Sequence, residues 1–290
     1  MNRKECFRRA RNYVLYYGYG MSDVLATYDV AIVEPLARKA AEVVSIRDHG
    51  TLQLAYFSLM EMAPTHPLFV YLRPEDFLRS DGEALQNRVF KTFLLDLTSR
   101  HWQGMVRYEA GKWMLHSGYD GLFLDTVGQA ENPGLPLALQ ERQIAAAAEL
   151  LGQLRRLYPD FLFIQNNGLN RLCLKTAPFL DGICWENPRF SERESAAWSY
   201  DVLSRLTNLR KEYGLRTLLL LEREQVSKAN VKVMREVARR CEALWYISAE
   251  GYTAPPLRCE TIPSGAGLTS RTNPSRGKGE GEGGSTSHLT

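Results

Sequence analysis

Short apolar runs alternate with longer segments of helical period along most of the chain. The runs NYVLYYGY, DVAIVEP, LQLAYFSLME, TFLLDLT, GLFLDTV, FLFIQNN, GICWEN, TLLLLE and ALWYIS read as nine candidate strands, rich in β-branched, aromatic and leucine residues and bounded by polar or turn-forming ones. Between them, positions such as Ile144, Ala147, Leu151 and Leu154, or Trp198, Val202, Leu206, Leu209 and Tyr213, recur at helical spacing and give each helix one apolar face. Strands that are apolar almost throughout must be covered on both sides, which leaves a doubly wound open sheet or a closed barrel. The first run ends in YYGYGMSD with no GxGxxG after it, so a dinucleotide-binding open sheet is not expected. The pattern predicts an α/β chain folded as a TIM-type (β/α)8 barrel over residues 1–262, with one of the nine runs peripheral.

Two segments break the rhythm. Residues 62–91 form a long Pro-bearing insertion after the third run, on the side where barrel enzymes build their sites, and are expected to wall a cleft. Residues 263–290 are Gly, Ser and charge with little to bury, and are expected to be a disordered tail.

Composition narrows the partners. With 290 residues, 44% hydrophobic, 24% charged and a formal net charge of +3, the chain has no electrostatic footprint for nucleic acid. No apolar run approaches the roughly 20 residues that span a bilayer, so no membrane partner is expected. Cys6, Cys173, Cys184, Cys241 and Cys259 are odd in number and contain no CxxC, which fits free thiols in a reducing compartment. The N-terminus lacks a signal-peptide core, so the sequence as written is expected in the cytoplasm, or outside it if a leader is missing.

Barrel enzymes react at the C-terminal ends of their strands, and here those ends carry mostly carboxylates: Glu34, Glu61, Asp96, Asp125, Glu186 and Glu222. Asn166 and Asn167 finish FLFIQ, while Tyr17, Tyr56 and Ser58 mark other strand ends. Converging acids are costly unless they bind a metal, meet a cationic ligand or keep one acid protonated for proton transfer. The five histidines form no HxH or HExxH pair, so no metal or other cofactor is expected. Lys39, Lys112, Lys175 and Lys211 fall outside the strand ends, which argues against Schiff-base chemistry, and no glycine-rich turn follows the last strands to hold phosphate. Paired carboxylates beside aromatic and amide neighbours are what glycoside hydrolysis requires. Tyr17, Tyr19, Tyr56, Trp185 and Tyr71 are the aromatic candidates for sugar faces. Asp120 precedes its strand and is expected to be structural.

The succession YYGYG, YDVAIVEP, LAYFSLMEM, FLLDLTSRHWQ, GYDGLFLDTV, QNNG and DGICWEN resembles the barrel glycosidases of glycoside hydrolase family 114 and its relatives, the hydrolase domain of the Pel polysaccharide modification protein among them. The resemblance runs from about Tyr13 to Leu221, and GYDGLFLDTV is its most specific piece. It implies an endo-acting hydrolase of α-1,4-linked galactosamine or N-acetylgalactosamine polymers that needs no cofactor. It places a nucleophile or transition-state stabiliser at Asp125 and an acid/base at Glu186, with the reverse assignment also open. Tyr17, Glu34, Tyr56, Ser58, Glu61, Asp96, Asn166 and Glu222 are then candidates for substrate contact, the acids pairing with ammonium groups of a partly deacetylated polymer. Two further readings use the same rim: a carbohydrate-binding protein that has lost turnover, and a metal-dependent barrel enzyme.

Overall fold

The structure is a computed structural model that describes residues 2–190, 192–223, 227–248 and 250–256. Eight parallel strands follow one another around a single sheet in chain order. They are β1 (Tyr13–Tyr16), β2 (Val30–Val33), β3 (Leu52–Ser58), β4 (Gly121–Asp125), β5 (Leu162–Asn166), β6 (Gly182–Glu186), β7 (Arg216–Glu222) and β8 (Leu244–Ser248). β1 and β8 adjoin at the seam. There the Tyr13 and Tyr246 rings pack with centroids 5.8 Å apart, and one residue beyond β1 the Tyr17 amide donates to the Tyr252 carbonyl at 2.8 Å. The result is the TIM-type (β/α)8 barrel that the run pattern predicts. The tail expected from residue 263 onward lies outside the described residues.

The ninth run is TFLLDLT. Its strand, Thr92–Leu94, pairs antiparallel with Glu61–Met62 and Gln86–Asn87 in a small separate sheet. A short apolar run reads alike whether it enters the barrel or covers it, so only the topology identifies the peripheral one. With a second two-stranded ribbon, Arg79–Ser80 against Glu83–Ala84, this sheet builds the insertion between β3 and β4.

Helix α1 (Arg3–Arg9) precedes the barrel, and α2 (Ser22–Leu25), α3 (Ala40–Asp48), α4 (Arg100–Gly111), α5 (Leu137–Leu157), α6 (Leu172–Thr176), α7 (Arg193–Tyr213) and α8 (Lys228–Cys241) connect successive strands. On α5 the predicted face of Ile144, Ala147, Leu151 and Leu154 is buried, and on α7 Val202, Leu206 and Leu209 are. The two ends of that predicted face, Trp198 and Tyr213, are 46% and 40% exposed.

Side chains alternate between two cores. Leu15, Ile32, Leu54, Phe123, Ile164, Cys184 and Leu220 fill the barrel, whereas Val14, Val33, Ala55, Leu124, Phe163, Ile183 and Leu221 pack in the layer between sheet and helices. Phe7 of α1 joins the inner cluster and plugs the N-terminal mouth. Arg216 holds it there by donating from Nη1 to the carbonyls of Phe7, Arg8 and Ala10 at 2.9, 2.9 and 2.7 Å.

An aspartate just before each of three strands fastens the same mouth. Asp29 Oδ2 accepts from the Arg11 amide at 2.6 Å, Asp120 Oδ2 from the Gln53 amide at 3.0 Å, and Asp181 Oδ2 from the Phe163 amide at 2.9 Å. Asp120 also receives Arg3 Nε at 2.9 Å, which gives it the structural part expected from its position. Glycine follows Asp120 because a Cβ at Gly121 would stand 2.0 Å from the Leu162 carbonyl oxygen.

Candidate active site

One two-residue step beyond the inner apolar layer, the period of β1 to β7 brings a polar or aromatic side chain to the opposite mouth. Leu15 leads to Tyr17, Ile32 to Glu34, Leu54 to Tyr56, Phe123 to Asp125, Ile164 to Asn166, Cys184 to Glu186 and Leu220 to Glu222. These seven, together with Ser58 and Glu61, line one cavity of about 1010 Å³, and Met62, His66, Asn87 and Phe90 of the insertion form part of its wall.

At the floor, Asn166 joins the two central acids. Its Nδ2 donates to Asp125 Oδ1 at 2.8 Å and to Glu186 Oε2 at 3.0 Å. Two carboxylates facing one amide fix its orientation, because its oxygen would repel them. The cost is that Asn166 Oδ1 is buried without a hydrogen-bond partner. The other Asp125 oxygen, Oδ2, accepts from the Tyr56 hydroxyl at 2.9 Å. Burial and then the Asp125 charge push that hydroxyl well above its usual pKa, so it stays a donor.

Glu186 Oε1 accepts from the Tyr252 hydroxyl, and Oε2 also receives Asn167 Nδ2 at 3.4 Å. Burial raises the Glu186 pKa most. The donors Tyr252 and Asn166 pull it down, while the neighbouring charges of Asp125 and Glu222 push it up, and the net shift is upward. Glu34 is raised as well, by burial, against the Leu36 amide that its Oε1 accepts at 2.9 Å.

Backbone geometry aims these groups. Thr126, Asn167 and Asn187, each directly after a strand-end residue, adopt left-handed φ values of 59°, 55° and 50°. Asparagine tolerates that region because its short side chain bonds locally. Asn167 Oδ1 accepts from the Glu186 amide at 3.1 Å, and Asn187 Oδ1 accepts from the Glu222 amide at 2.9 Å. Thr126 Oγ1 accepts from the Met60 amide at 2.8 Å and bonds Ser58 Oγ at 2.9 Å. The end of β4 is thus tied to that of β3, β5 to β6, and β6 to β7.

The remaining predicted residues divide. Glu61 lies on the cavity wall but is already held by neutral donors: Thr92 Oγ1 at 2.5 Å, Gln129 Nε2 at 2.7 Å and Asn87 Nδ2 at 3.2 Å. Asp96 does not line the cavity. It belongs to the run that left the barrel, and its Oδ1 accepts from the Thr98 amide and hydroxyl at 2.8 and 2.6 Å and from Gln143 Nε2 at 2.7 Å. The substrate-contact expectation for Asp96 is therefore corrected to a turn-and-helix anchor.

Among the aromatic candidates, Tyr17 and Tyr56 face the cavity with centroids 4.6 Å apart, and Tyr19 and Tyr71 are exposed elsewhere. Trp185 also borders the cavity, but it is 1% exposed and packs into the helix layer. Sequence reasoning missed Tyr252 and the cavity-facing part of Trp198. It also missed the aiming roles of Asn167 and Asn187, for which the turn dipeptides Asn-Gly and Asn-Pro at 167–168 and 187–188 were the available signal. Among the described residues no three His, Cys, Asp or Glu side chains converge as metal ligands, and no helix is long and apolar enough to cross a membrane.

No protein-family model and no curated protein matches the chain. Solved structures do match its fold. The glycoside hydrolase domain of PelA from Pseudomonas aeruginosa aligns at 18% identity with a TM-score of 0.68, over 86% of this chain and 98% of that one. Ega3 of Aspergillus fumigatus, solved in complex with galactosamine, aligns at 11% identity and TM-score 0.64, over 87% and 97%. The α-galactosidase TtGalA of Thermus thermophilus aligns at 16% identity and TM-score 0.56, over 81% and 57%.

Proposed function

We propose that the chain is a glycoside hydrolase that cleaves an α-1,4-linked galactosamine or N-acetylgalactosamine polysaccharide with Asp125 and Glu186. The observation that carries this reading is the single Asn166 amide shared by both acids. With one nitrogen 2.8 and 3.0 Å from the two oxygens, near-linear hydrogen bonds from an amide whose N–H bonds diverge by roughly 120° correspond to a separation of about 5 Å. That spacing suits a retaining double displacement, for which about 5–5.5 Å is typical, better than an inverting one, which needs about 6.5–9.5 Å.

The environments divide the labour. Glu186, pushed up in pKa chiefly by burial, holds a proton for the leaving glycosidic oxygen. Asp125 accepts from Tyr56 and Asn166, and as a carboxylate it attacks the anomeric carbon, giving a glycosyl ester as the C–O bond to the leaving sugar breaks. Glu186, now ionised, takes a proton from water. The resulting nucleophile attacks the same carbon and frees Asp125. Positive charge developing at the sugar ring is favoured by the neighbouring Glu34 and Glu222 carboxylates on the cavity wall.

The substrate class draws on the resemblance of GYDGLFLDTV and DGICWEN to family 114, and on the likeness of fold to PelA and to a galactosamine-bound Ega3. Acids on the wall complement a polymer bearing free ammonium groups. The test is a reducing-end assay on partly deacetylated α-1,4-N-acetylgalactosamine polymer. Asp125→Asn and Glu186→Gln are each expected to lower kcat by about 10²–10⁴-fold. Wild-type rates in both variants overturn the assignment.

A further inference from the structure

Trp198 opens a row on α7 that is buried only in its middle. Val202, Leu206 and Leu209 are 0%, 3% and 5% exposed, while the end residues Trp198 and Tyr213 are 46% and 40% exposed, and of these two only Trp198 lines the cavity. Leaving an indole face in water forgoes burial energy that the same helix row gains elsewhere. Trp198 is one of the residues that line the cavity holding Asp125 and Glu186.

The ring is also held in place. It packs perpendicular to Trp185, with centroids 5.8 Å apart and planes at 89°, and Trp185 is itself fully buried one residue before Glu186. Trp198 Nε1 donates to Asn170 Oδ1 at 3.4 Å. Asn170 is fixed in turn, because the Glu131 carboxylate accepts from the amides of Asn170, Arg171 and Leu172 at 2.9, 2.7 and 2.9 Å. The polar tip of the indole is thus engaged by protein, one side packs on Trp185, and 46% of the residue remains open to a ligand.

A pyranose has one face of C–H groups and a rim of polar substituents, and such a face stacks on an aromatic plane. A plane fixed before the ligand arrives avoids the ordering cost that weakens binding by mobile side chains. We infer that Trp198 is a sugar-stacking platform, a binding subsite for a pyranose unit of the polymer next to the one attacked, on the wall formed by β6 and α7. This rests on the glycosidase reading of the site. It moves the tryptophan contact from Trp185, which is buried, to Trp198.

The test is binding of a partly deacetylated α-1,4-N-acetylgalactosamine oligomer, measured by calorimetry in a Glu186→Gln background, alongside KM and kcat on the polymer in the otherwise unaltered protein. Trp198→Ala is expected to weaken oligomer binding and raise KM by about tenfold, an amount consistent with one lost aromatic contact, while kcat stays within about twofold. Trp198→Phe keeps a ring and is expected to recover most of the affinity; Trp198→Leu keeps apolar bulk and is expected not to. Unchanged binding in Trp198→Ala, or equal loss in the Phe and Leu variants, overturns the platform while leaving hydrolysis by the parent protein intact. Failure of the parent protein to bind or cleave the oligomer overturns the platform and the glycosidase reading together.

Discussion

The Tyr252 hydroxyl donates to Glu186 Oε1, bringing a residue beyond β8 onto an acid at the end of β6. The same tyrosine closes the barrel seam through its carbonyl, which accepts the Tyr17 amide. Burial and then the Glu186 charge push the Tyr252 hydroxyl far above its usual pKa, so it remains a donor while Glu186 titrates.

That bond sets a pH prediction. Tyr252 lowers the Glu186 pKa against the stronger upward push of burial. Removing the donor in Tyr252→Phe therefore raises the Glu186 pKa further. If Glu186 is the general acid, its protonated form then persists to higher pH, and the basic limb of kcat/KM moves upward. A shift of the acidic limb instead would mean that Glu186 works as the carboxylate nucleophile, and the roles of the two acids would be exchanged.

Asn166→Ala deletes the amide that both acids share. Without it Asp125 keeps only Tyr56 and Glu186 keeps Tyr252 and Asn167, and nothing fixes one acid relative to the other. The expected result is a fall in kcat of at least about tenfold with KM changed far less, since the lost interaction orients the reacting groups and not the rest of the polymer. Steady-state kinetics on the polymer check this.

Asp96→Asn separates the sequence expectation from the structural one. As an anchor for Thr98 and Gln143, Asp96 contributes to folding and not to the cavity. The variant is expected to lose about 0.5–1.5 kcal/mol in urea unfolding while kcat and KM remain those of the parent.

Asp76 predicts a pH-dependent stability for the cleft wall. Its carboxylate is fully buried and accepts from Ser99 Oγ at 2.5 Å, His101 Nδ1 at 2.7 Å and the Arg73 amide at 2.7 Å. Burial raises its pKa, but these three donors outweigh it and hold the group below the usual aspartate value. A folded pKa below the unfolded one contributes stability that is complete above the unfolded pKa and disappears as pH falls through the folded one. Asp76→Asn is therefore expected to cost about 1–3 kcal/mol at neutral pH. The gap from the parent should close in acid, below the ordinary aspartate range, in denaturant titrations run at both pH values.

Much of this site is legible in the chain because strands have a period of two. GLFLD and GICWE place Phe123 with Asp125, and Cys184 with Glu186, on one side by alternation alone, and FLFIQN adds Asn166 in the same way. The period does not reveal whether a run enters the barrel, and Asp96 inherited the wrong location from TFLLD. It is equally silent about depth. Trp185 and Trp198 are both aromatic and both near the site, and only packing shows that one is buried beneath the other. Tyr252 sits in a segment with neither helical nor strand period, so its approach to Glu186 depends on closure of the seam and leaves no local signature.

The asparagines at the strand ends have a wider consequence. Because Asn167 holds the Glu186 amide and Asn187 holds the Glu222 amide, these two acids take their backbone aim from neighbouring strand ends, and of the segments beyond the strands Tyr252 adds a side-chain hold on Glu186. Other loops, the insertion after β3 among them, can then be lengthened, shortened or exchanged while these ties, and on the proposed reading the chemistry they serve, stay in place.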